Sequence, residues 1–173
     1  MERIQDIKLA FIGVSHWHVP LYLRAVASDG LQVVAVSDPD LELARRTAST
    51  LGCPAYSDAL ELLDKEKPDF VFAFAPHFQM PSLALELIRR RIPFAMEKPL
   101  GLCTADVEKV MQDAQAGQVF CAIPFVWRYS DLIQDFKKRV DPRDILHFNF
   151  HFVAGPPSRY LATSPWMMQT SKA

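Results

Sequence analysis

The sequence predicts an α/β fold: a parallel, doubly wound sheet, followed by the beginning of a second α/β layer that contains an antiparallel strand. Short, almost continuous apolar runs such as KLAFIGV and LQVVAVS alternate with amphipathic helical segments. Such runs are typical of strands covered on both faces, and their alternation with helices implies right-handed βαβ units. After Pro124 the pattern changes to ILHFNFHFV, whose period of two predicts a strand with one apolar face.

The predicted elements follow this alternation along the chain. Buried strands are expected at residues 8–14, 31–37, 55–56, 69–75, 93–96 and 119–123, and the antiparallel strand at residues 145–153. Helices are expected at residues 18–27, 40–51, 58–66, 81–91, 104–116 and 130–139. Asp40 and Asp58 are suitable N-caps, and Gly52 is a suitable helix stop.

Composition excludes several classes of partner. A formal net charge of −1 gives no basic surface for nucleic acid or for an anionic membrane. No apolar stretch is long enough to span a bilayer, and the first residues lack the features of a signal peptide. Cys53, Cys103 and Cys121 form no CxxC pair, so we expect free thiols in a reducing cytoplasm.

The turn between the first strand and the first helix indicates a dinucleotide site. It stands where a Rossmann-type fold carries GxGxxG, but only Gly13 is kept, with Ser15 at the second glycine position and His18 at the third. The Ser15 hydroxyl can donate to a phosphate oxygen, and a helix N-terminus favours an anion. We therefore expect Gly13, Ser15, His16, Trp17 and His18 to bind pyrophosphate; the alternative is an ordinary βα loop.

The pair His16 and His18 also suggests a metal site, because an HxH pair can ligate zinc. Such a site needs at least a third ligand, and no further ligand is evident in the local sequence. We therefore predict no metal.

Asp38 ends the second predicted strand, where an acidic residue hydrogen-bonds the adenosine ribose of a dinucleotide. A carboxylate at this point repels the additional phosphate of NADP, so we expect NAD. NADP stays possible if Arg45 or Arg46, on the following helix, folds back toward the ribose. The alternative is an aspartate that only begins the helix beside Pro39.

Glu97-Lys98-Pro99 closes the fifth predicted strand. Ligands of parallel α/β sheets bind at the carboxyl ends of the strands, so a lysine here can reach a bound substrate. The following proline stiffens the backbone that carries it. We expect Lys98 to take part in acid–base chemistry; the alternative is a lysine in a surface ion pair.

These segments, together with DFVFAFAPH, PFAMEKPLG and PFVWRYS, resemble the Gfo/Idh/MocA oxidoreductases from Ile7 to about Trp166. The resemblance implies a Rossmann domain, here residues 1–124, and the start of a substrate and oligomerisation domain at residues 125–173. It implies that Lys98 reaches the nicotinamide and the substrate hydroxyl, that Glu97 supports the loop, and that the Lys98–Pro99 bond is cis. It also implies that Arg128 lies near the substrate pocket. His77, which follows Pro76 just past the fourth predicted strand, could touch the nicotinamide ribose; the alternative is a solvated loop histidine.

The resemblance implies an NAD(P)-dependent oxidoreductase that transfers hydride between the cofactor and a sugar or polyol hydroxyl carbon, and a homo-oligomer. The family's second domain supplies an aspartate and a histidine that this sequence does not contain, so we expect a fragment or a truncated product. The alternative functions are a dinucleotide-binding sensor without turnover and an α/β domain that binds no nucleotide.

Overall fold

The computed structural model describes residues 6–153, 155, 156, 158, 161 and 164–168. Its strands are β1 (Lys8–Ile12), β2 (Gln32–Ser37), β3 (Ala55–Tyr56), β4 (Phe70–Ala73), β5 (Phe94–Met96) and β6 (Cys121–Ala122). Its helices are α1 (Val19–Ser28), α2 (Leu41–Leu51), α3 (Ala59–Glu66), α4 (Met80–Arg89), α5 (Thr104–Gly117) and α6 (Asp131–Arg139).

The six strands form one parallel sheet in the order β3-β2-β1-β4-β5-β6. The predicted doubly wound fold is therefore confirmed. The chain turns outward in one direction from β1 to β3 and in the other from β4 to β6. The order reverses between β1 and β4, and this switch point is where such sheets bind ligands.

Alternating side chains of each strand supply two separate cores, one on either face of the sheet. On one face, Phe11 of β1 packs with Val19 and Val26 of α1 and with Ala44 and Ala48 of α2. The opposite core includes buried side chains of α3, α4 and α5: Leu62, Leu63, Ala84, Leu87, Ile88, Val110 and Ala114. Both faces of the sheet are covered, which explains why its strands read as continuous apolar runs.

Predicted helix ends agree closely with the structure because they depend on local chemistry. The Asp40 and Asp58 side chains accept from the backbone N–H groups of Leu43 and Glu61, at 3.1 and 2.8 Å. Gly52 takes the left-handed conformation that ends α2. In α5, predicted at residues 104–116, Cys103 is the N-cap and the left-handed Gln118 ends the helix.

The predicted antiparallel strand at residues 145–153 is not formed. This segment has no regular secondary structure, and its side chains are exposed. Its alternation is nevertheless preserved: the rings of Phe148, Phe150 and Phe152 lie on one side with neighbouring centroids 6.4 Å apart. A strand exists only when its backbone groups pair, and no segment among the described residues pairs with this one.

No helix within the described residues combines the length and the apolar character that crossing a membrane requires.

Candidate functional site

A cleft of about 910 Å³ opens at the carboxyl edge of the sheet, at the switch point between β1 and β4. Its walls come from the turn after β1, the end of β2, the loop into α3 and the segment between β4 and α4. The lining residues include Gly13, Ser15, His16, Ser37, Asp38 and Pro76. A cleft of this volume, open at a helix N-terminus, suits a phosphate-bearing ligand.

Gly13 lets the backbone turn where no other residue fits. Its φ is +80°, and a Cβ at this position would lie 1.4 Å from the carbonyl oxygen of Phe74. The N–H groups of Gly13 and Val14 donate to the carbonyl oxygen of Ser37, at 2.8 and 3.3 Å. The turn is thus fixed between the ends of β2 and β4, with its glycine against the neighbouring backbone.

Asp38 joins the end of β2 to this turn. Its side chain is 3% exposed, and its two oxygens accept from the N–H groups of Ser15 at 2.7 Å and Asp40 at 3.0 Å. Each carboxylate oxygen has a second lone pair, so the group can still accept a hydroxyl of a ribose. Asp38 therefore combines a structural role in the turn with the predicted place beside a sugar.

His16 is a buried ring inside the turn. It stacks on Trp17 with centroids 4.0 Å apart and contacts the ring of Phe74. Burial lowers its pKa to about 4, an effect that the negative charge of Glu97 opposes and that His18 and Lys98 reinforce. Its Nδ1 accepts from the N–H of His18 at 3.1 Å, so His16 is a neutral ring whose Nε2 carries the proton.

His18 connects the turn to the loop that carries Lys98. Its Nδ1 lies 2.8 Å from Oε2 of Glu97, which is 3% exposed, and Oε1 of Glu97 accepts from the N–H of Lys98 at 3.0 Å. The N–H of Glu97 continues the sheet by donating to the carbonyl oxygen of Ala73 at 2.9 Å. The Lys98–Pro99 bond is cis, as the resemblance implied.

The fold brings Glu97 close to His16 and His18, so that a possible third metal ligand is present although none was evident in the local sequence. One donor atom each of His16, His18 and Glu97 lie within 4.8 Å of one another. The surroundings oppose a cation, however. The three groups meet at the N-terminus of α1, whose partial charge is positive, and Lys98 is close enough to lower the pKa of His16. The prediction of no metal therefore stays a prediction with an electrostatic argument in its favour.

Comparison with known proteins agrees with this geometry. Residues 7–125 match the model of the GFO_IDH_MocA family, described as an oxidoreductase family with an NAD-binding Rossmann fold. The chain belongs to this family. Inositol 2-dehydrogenase 4 of Saccharopolyspora erythraea is 32% identical over 111 residues, which are 63% of this chain and 33% of that protein. The scyllo-inositol 2-dehydrogenase (NAD(+)) of Bacillus subtilis is 26% identical over 144 residues, 81% of this chain and 42% of that protein.

Solved structures show the same fold. Myo-inositol 2-dehydrogenase from Lactobacillus plantarum has a TM-score of 0.71 at 24% identity and covers 81% of this chain and 42% of its own. The WlbA dehydrogenase of Bordetella pertussis, solved with NADH and UDP-GlcNAcA, has a TM-score of 0.72 at 19% identity and covers 79% of this chain and 40% of its own. This chain thus spans about a third to two-fifths of the length of the curated relatives it matches.

One structural observation, which is independent of the family match, also indicates that the cleft binds a ligand such as the NAD of the Gfo/Idh/MocA fold. Within the described residues, two buried side-chain atoms have no hydrogen-bond partner, Oγ of Ser37 and Nδ1 of His77. Ser37 lines the cleft, and His77 directly follows Pro76, which also lines it. Buried polar atoms without partners are rare in folded proteins, and a polar ligand in the cleft would give Oγ of Ser37 a partner.

His77, which we expected beside the nicotinamide ribose, does not line the cleft but packs against Trp166, which does. It is half-buried, and its ring meets that of Trp166 edge-on at 4.6 Å. Burial and, second, the charge of Lys98 lower its pKa, so the ring is neutral near pH 7. Ser164 and Trp166 also line the cleft, which the sequence did not predict, because this contact joins residues about ninety positions apart.

Several expected site residues lie beside the cleft without lining it. Trp17 and His18 belong to the turn, His77 follows Pro76, and Glu97 and Lys98 follow β5. None of these five residues lines the cleft, and Lys98 is exposed. Arg128 is exposed on the 3-10 helix Val126–Tyr129 and is not brought to the cleft. Arg45, which could have favoured NADP, is instead paired with Glu42 at 2.6 Å.

Sequence reasoning also missed the wall opposite the turn. Ser57, Asp58 and Leu60 follow β3, while Gln79 directly precedes α4 and Ser82 lies in its first turn. All five residues follow the carboxyl end of a strand. The rule that ligands of parallel α/β sheets bind at this edge would have marked them as candidates.

Proposed function

We propose that this chain is the dinucleotide-binding part of an NAD-dependent dehydrogenase that acts on a hydroxyl-bearing carbon of a sugar or polyol. The observation that carries the proposal is the cleft at the switch point, where the turn at Gly13 packs against the backbone of Phe74 and the buried Oγ of Ser37 has no partner within the described residues. The inositol dehydrogenases among its relatives support a polyol substrate.

In this proposal NAD accepts or donates the hydride when it is bound. Gly13 and Ser15 would hold the pyrophosphate, and Asp38 would accept from the adenosine ribose. Its negative charge, with Arg45 already paired, favours NAD over NADP. His77 and Pro76 would lie beside the nicotinamide ribose.

Lys98 would hold and transfer the proton of the substrate hydroxyl. Its exposed side chain stands at the end of β5, next to the cleft, while its backbone is held by Glu97. A positioned acid–base group of this kind contributes about a hundredfold or more to turnover. Arg128, on the segment that leads away from the sheet, would contact substrate only after that segment moves.

We also propose the domain division at residues 1–124 and 125–173, with the second part belonging to a substrate and oligomerisation domain. The family match ends at residue 125, and α6 has no buried residues, which supports a change of layer there.

The alternative function is dinucleotide binding without turnover, as in a sensor. The observation that favours it is that neither Lys98 nor Arg128, the two residues expected to meet the substrate, lines the cleft.

Calorimetry with NADH and NADPH, followed by turnover with a panel of polyols, tests both functions. We expect NADH to bind more tightly than NADPH, and Lys98→Ala to lower turnover about a hundredfold or more while the melting temperature stays nearly constant. Lys109→Ala, on the exposed face of α5, is the matched control and should change neither turnover nor the melting temperature. Binding without turnover would select the sensor, and no heat with either dinucleotide would reject both functions.

A further inference from the structure

Glu97 is a buried carboxylate whose two oxygens point to two different parts of the site. One oxygen lies 2.8 Å from Nδ1 of His18 in the turn after β1, and the other accepts from the N–H of Lys98. A carboxylate accepts only, so Nδ1 of His18 carries the proton of their hydrogen bond. His18 is 31% exposed, whereas Glu97 is 3% exposed.

Removal of His18 would leave this carboxylate with one partner fewer. An ionised group without enough partners is costly inside a protein, and it regains stability by moving toward water. Such a movement would carry away the acceptor for the N–H of Lys98. The carboxylate also lies near the N-terminus of α1, where His18 is the N-cap and the helix favours negative charge.

We propose that His18 is a positioning residue for Lys98 and acts through Glu97. This inference rests on the proposed function, in which Lys98 handles the substrate proton. His18 stands where a dinucleotide turn has its third glycine, so the same residue that departs from the glycine pattern connects the cofactor turn to the lysine loop. Occupation of the turn by a dinucleotide then restrains Lys98. The reason is that a continuous chain of hydrogen bonds runs from His18 in the turn, through the carboxylate of Glu97, to the N–H of Lys98.

The experiment measures amide hydrogen exchange by NMR in the whole 173-residue chain, first without ligand and then with NADH. The reporter is the N–H of Lys98, and the internal control is the N–H of Glu97, which bonds to Ala73 independently of His18. Three variants are compared with the parent chain. His18→Asn keeps a donor at the position of Nδ1, His18→Gln moves it one bond farther, and His18→Leu removes it.

We expect the Lys98 amide to exchange about tenfold faster in His18→Leu and His18→Gln, the scale of one lost charge-assisted hydrogen bond. His18→Asn should restore slow exchange, and the Glu97 amide should change little in all three. If His18→Leu fails to fold, the pair His18→Asn and His18→Gln decides. NADH should slow the Lys98 amide in the parent chain and in His18→Asn, and should bind His18→Gln without slowing it.

Equal exchange at Lys98 in all variants would overturn the proposal, and so would equal acceleration at the Lys98 and Glu97 amides, since that reports general loosening. Failure of NADH to bind the parent chain would reject the proposed function, while the ligand-free comparison still decides the role of His18. All samples are measured after treatment with a chelator and again with zinc. Protection of Lys98 that is lost with the chelator and regained with zinc would assign the cluster to a metal and overturn the proposal.

Discussion

Gly13 is the residue whose replacement the structure excludes most directly. We predict that Gly13→Ala lowers the free energy of unfolding by roughly 2 kcal/mol or more, because the new Cβ meets the Phe74 carbonyl at 1.4 Å and the φ of +80° is strained for alanine. Urea unfolding measures the loss, and calorimetry should show weaker NADH binding. Gly30→Ala is the matched control: its φ is +66° but it has open space, so about 1 kcal/mol is expected. Equal losses of unfolding free energy in Gly13→Ala and Gly30→Ala would contradict the close contact between Gly13 and Phe74.

His16 makes stability depend on pH. Its pKa is about 4 in the folded chain, against 6.5 for the ordinary group, so the unfolded chain binds the proton more tightly. The contribution of His16 to the free energy of unfolding is therefore fully present above pH 6.5 and falls as the pH decreases toward 4, by at most about 3 kcal/mol. The pKa of His77 is lowered too and adds a change of the same sign.

Urea unfolding at pH 7.5 and pH 4.5 tests this prediction. His16→Asn keeps a hydrogen-bond acceptor near Nδ1 but does not titrate, so its stability should fall less with decreasing pH than that of the parent chain. The exposed His147→Asn should leave the pH dependence as it is. An unchanged slope in His16→Asn would show that His16 titrates normally.

At the scale of elements, the carboxylate of Asp38 holds the end of β2 to the turn after β1. We predict that Asp38→Asn lowers the free energy of unfolding by about 1–2 kcal/mol, since one amide oxygen cannot replace two carboxylate acceptors for the N–H groups of Ser15 and Asp40. The lost charge should also narrow the preference for NADH over NADPH.

Asp40→Asn is the control for this variant, because Asp40 is an exposed N-cap and asparagine caps helices as well as aspartate does. Unfolding in urea and titration with both dinucleotides measure the two effects. Tighter binding of NADPH than of NADH in the parent chain would show that the charge of Asp38 does not select the cofactor.

At the scale of the whole molecule, the segment 145–153 presents an unusual apolar surface. Phe148, Phe150 and Phe152 are 67%, 63% and 66% exposed and lie on one side of an extended backbone that pairs with no described segment. Unpaired strands and exposed apolar patches both favour association with another chain. We predict that the 173-residue chain self-associates through this segment.

Light scattering and sedimentation as a function of concentration measure the association. The double variant Phe148→Ser with Phe150→Ser should shift the chain toward monomer, whereas His147→Ser with His151→Ser, on the opposite side, should not. A parent chain that is monomeric at all concentrations, with rapid hydrogen exchange at residues 145–153, would contradict the prediction.

Local patterns in the sequence determined the sheet, its helices and most helix ends. The apolar runs identified β1, β2 and β4 because strands covered on both faces must be apolar throughout, and the caps at Asp40, Asp58 and Gly52 need only neighbouring residues. The same rules placed Gly13, Asp38 and Lys98 at the carboxyl edge of the sheet, where the structure has them.

Tertiary structure alone decided what depends on distant residues. It paired His18 with Glu97, brought Trp166 against His77 and left Arg128 away from the cleft. It also left residues 145–153 without a partner strand in the part of the chain that the structure describes. Local sequence patterns do not determine these contacts, because a hydrogen bond or a strand pair forms only when both partners are brought together. Which distant residues come together depends on the order of the strands in the sheet. Side-chain periodicity survived at Phe148, Phe150 and Phe152, since alternation is a property of the extended backbone, whereas strand formation depends on a second segment.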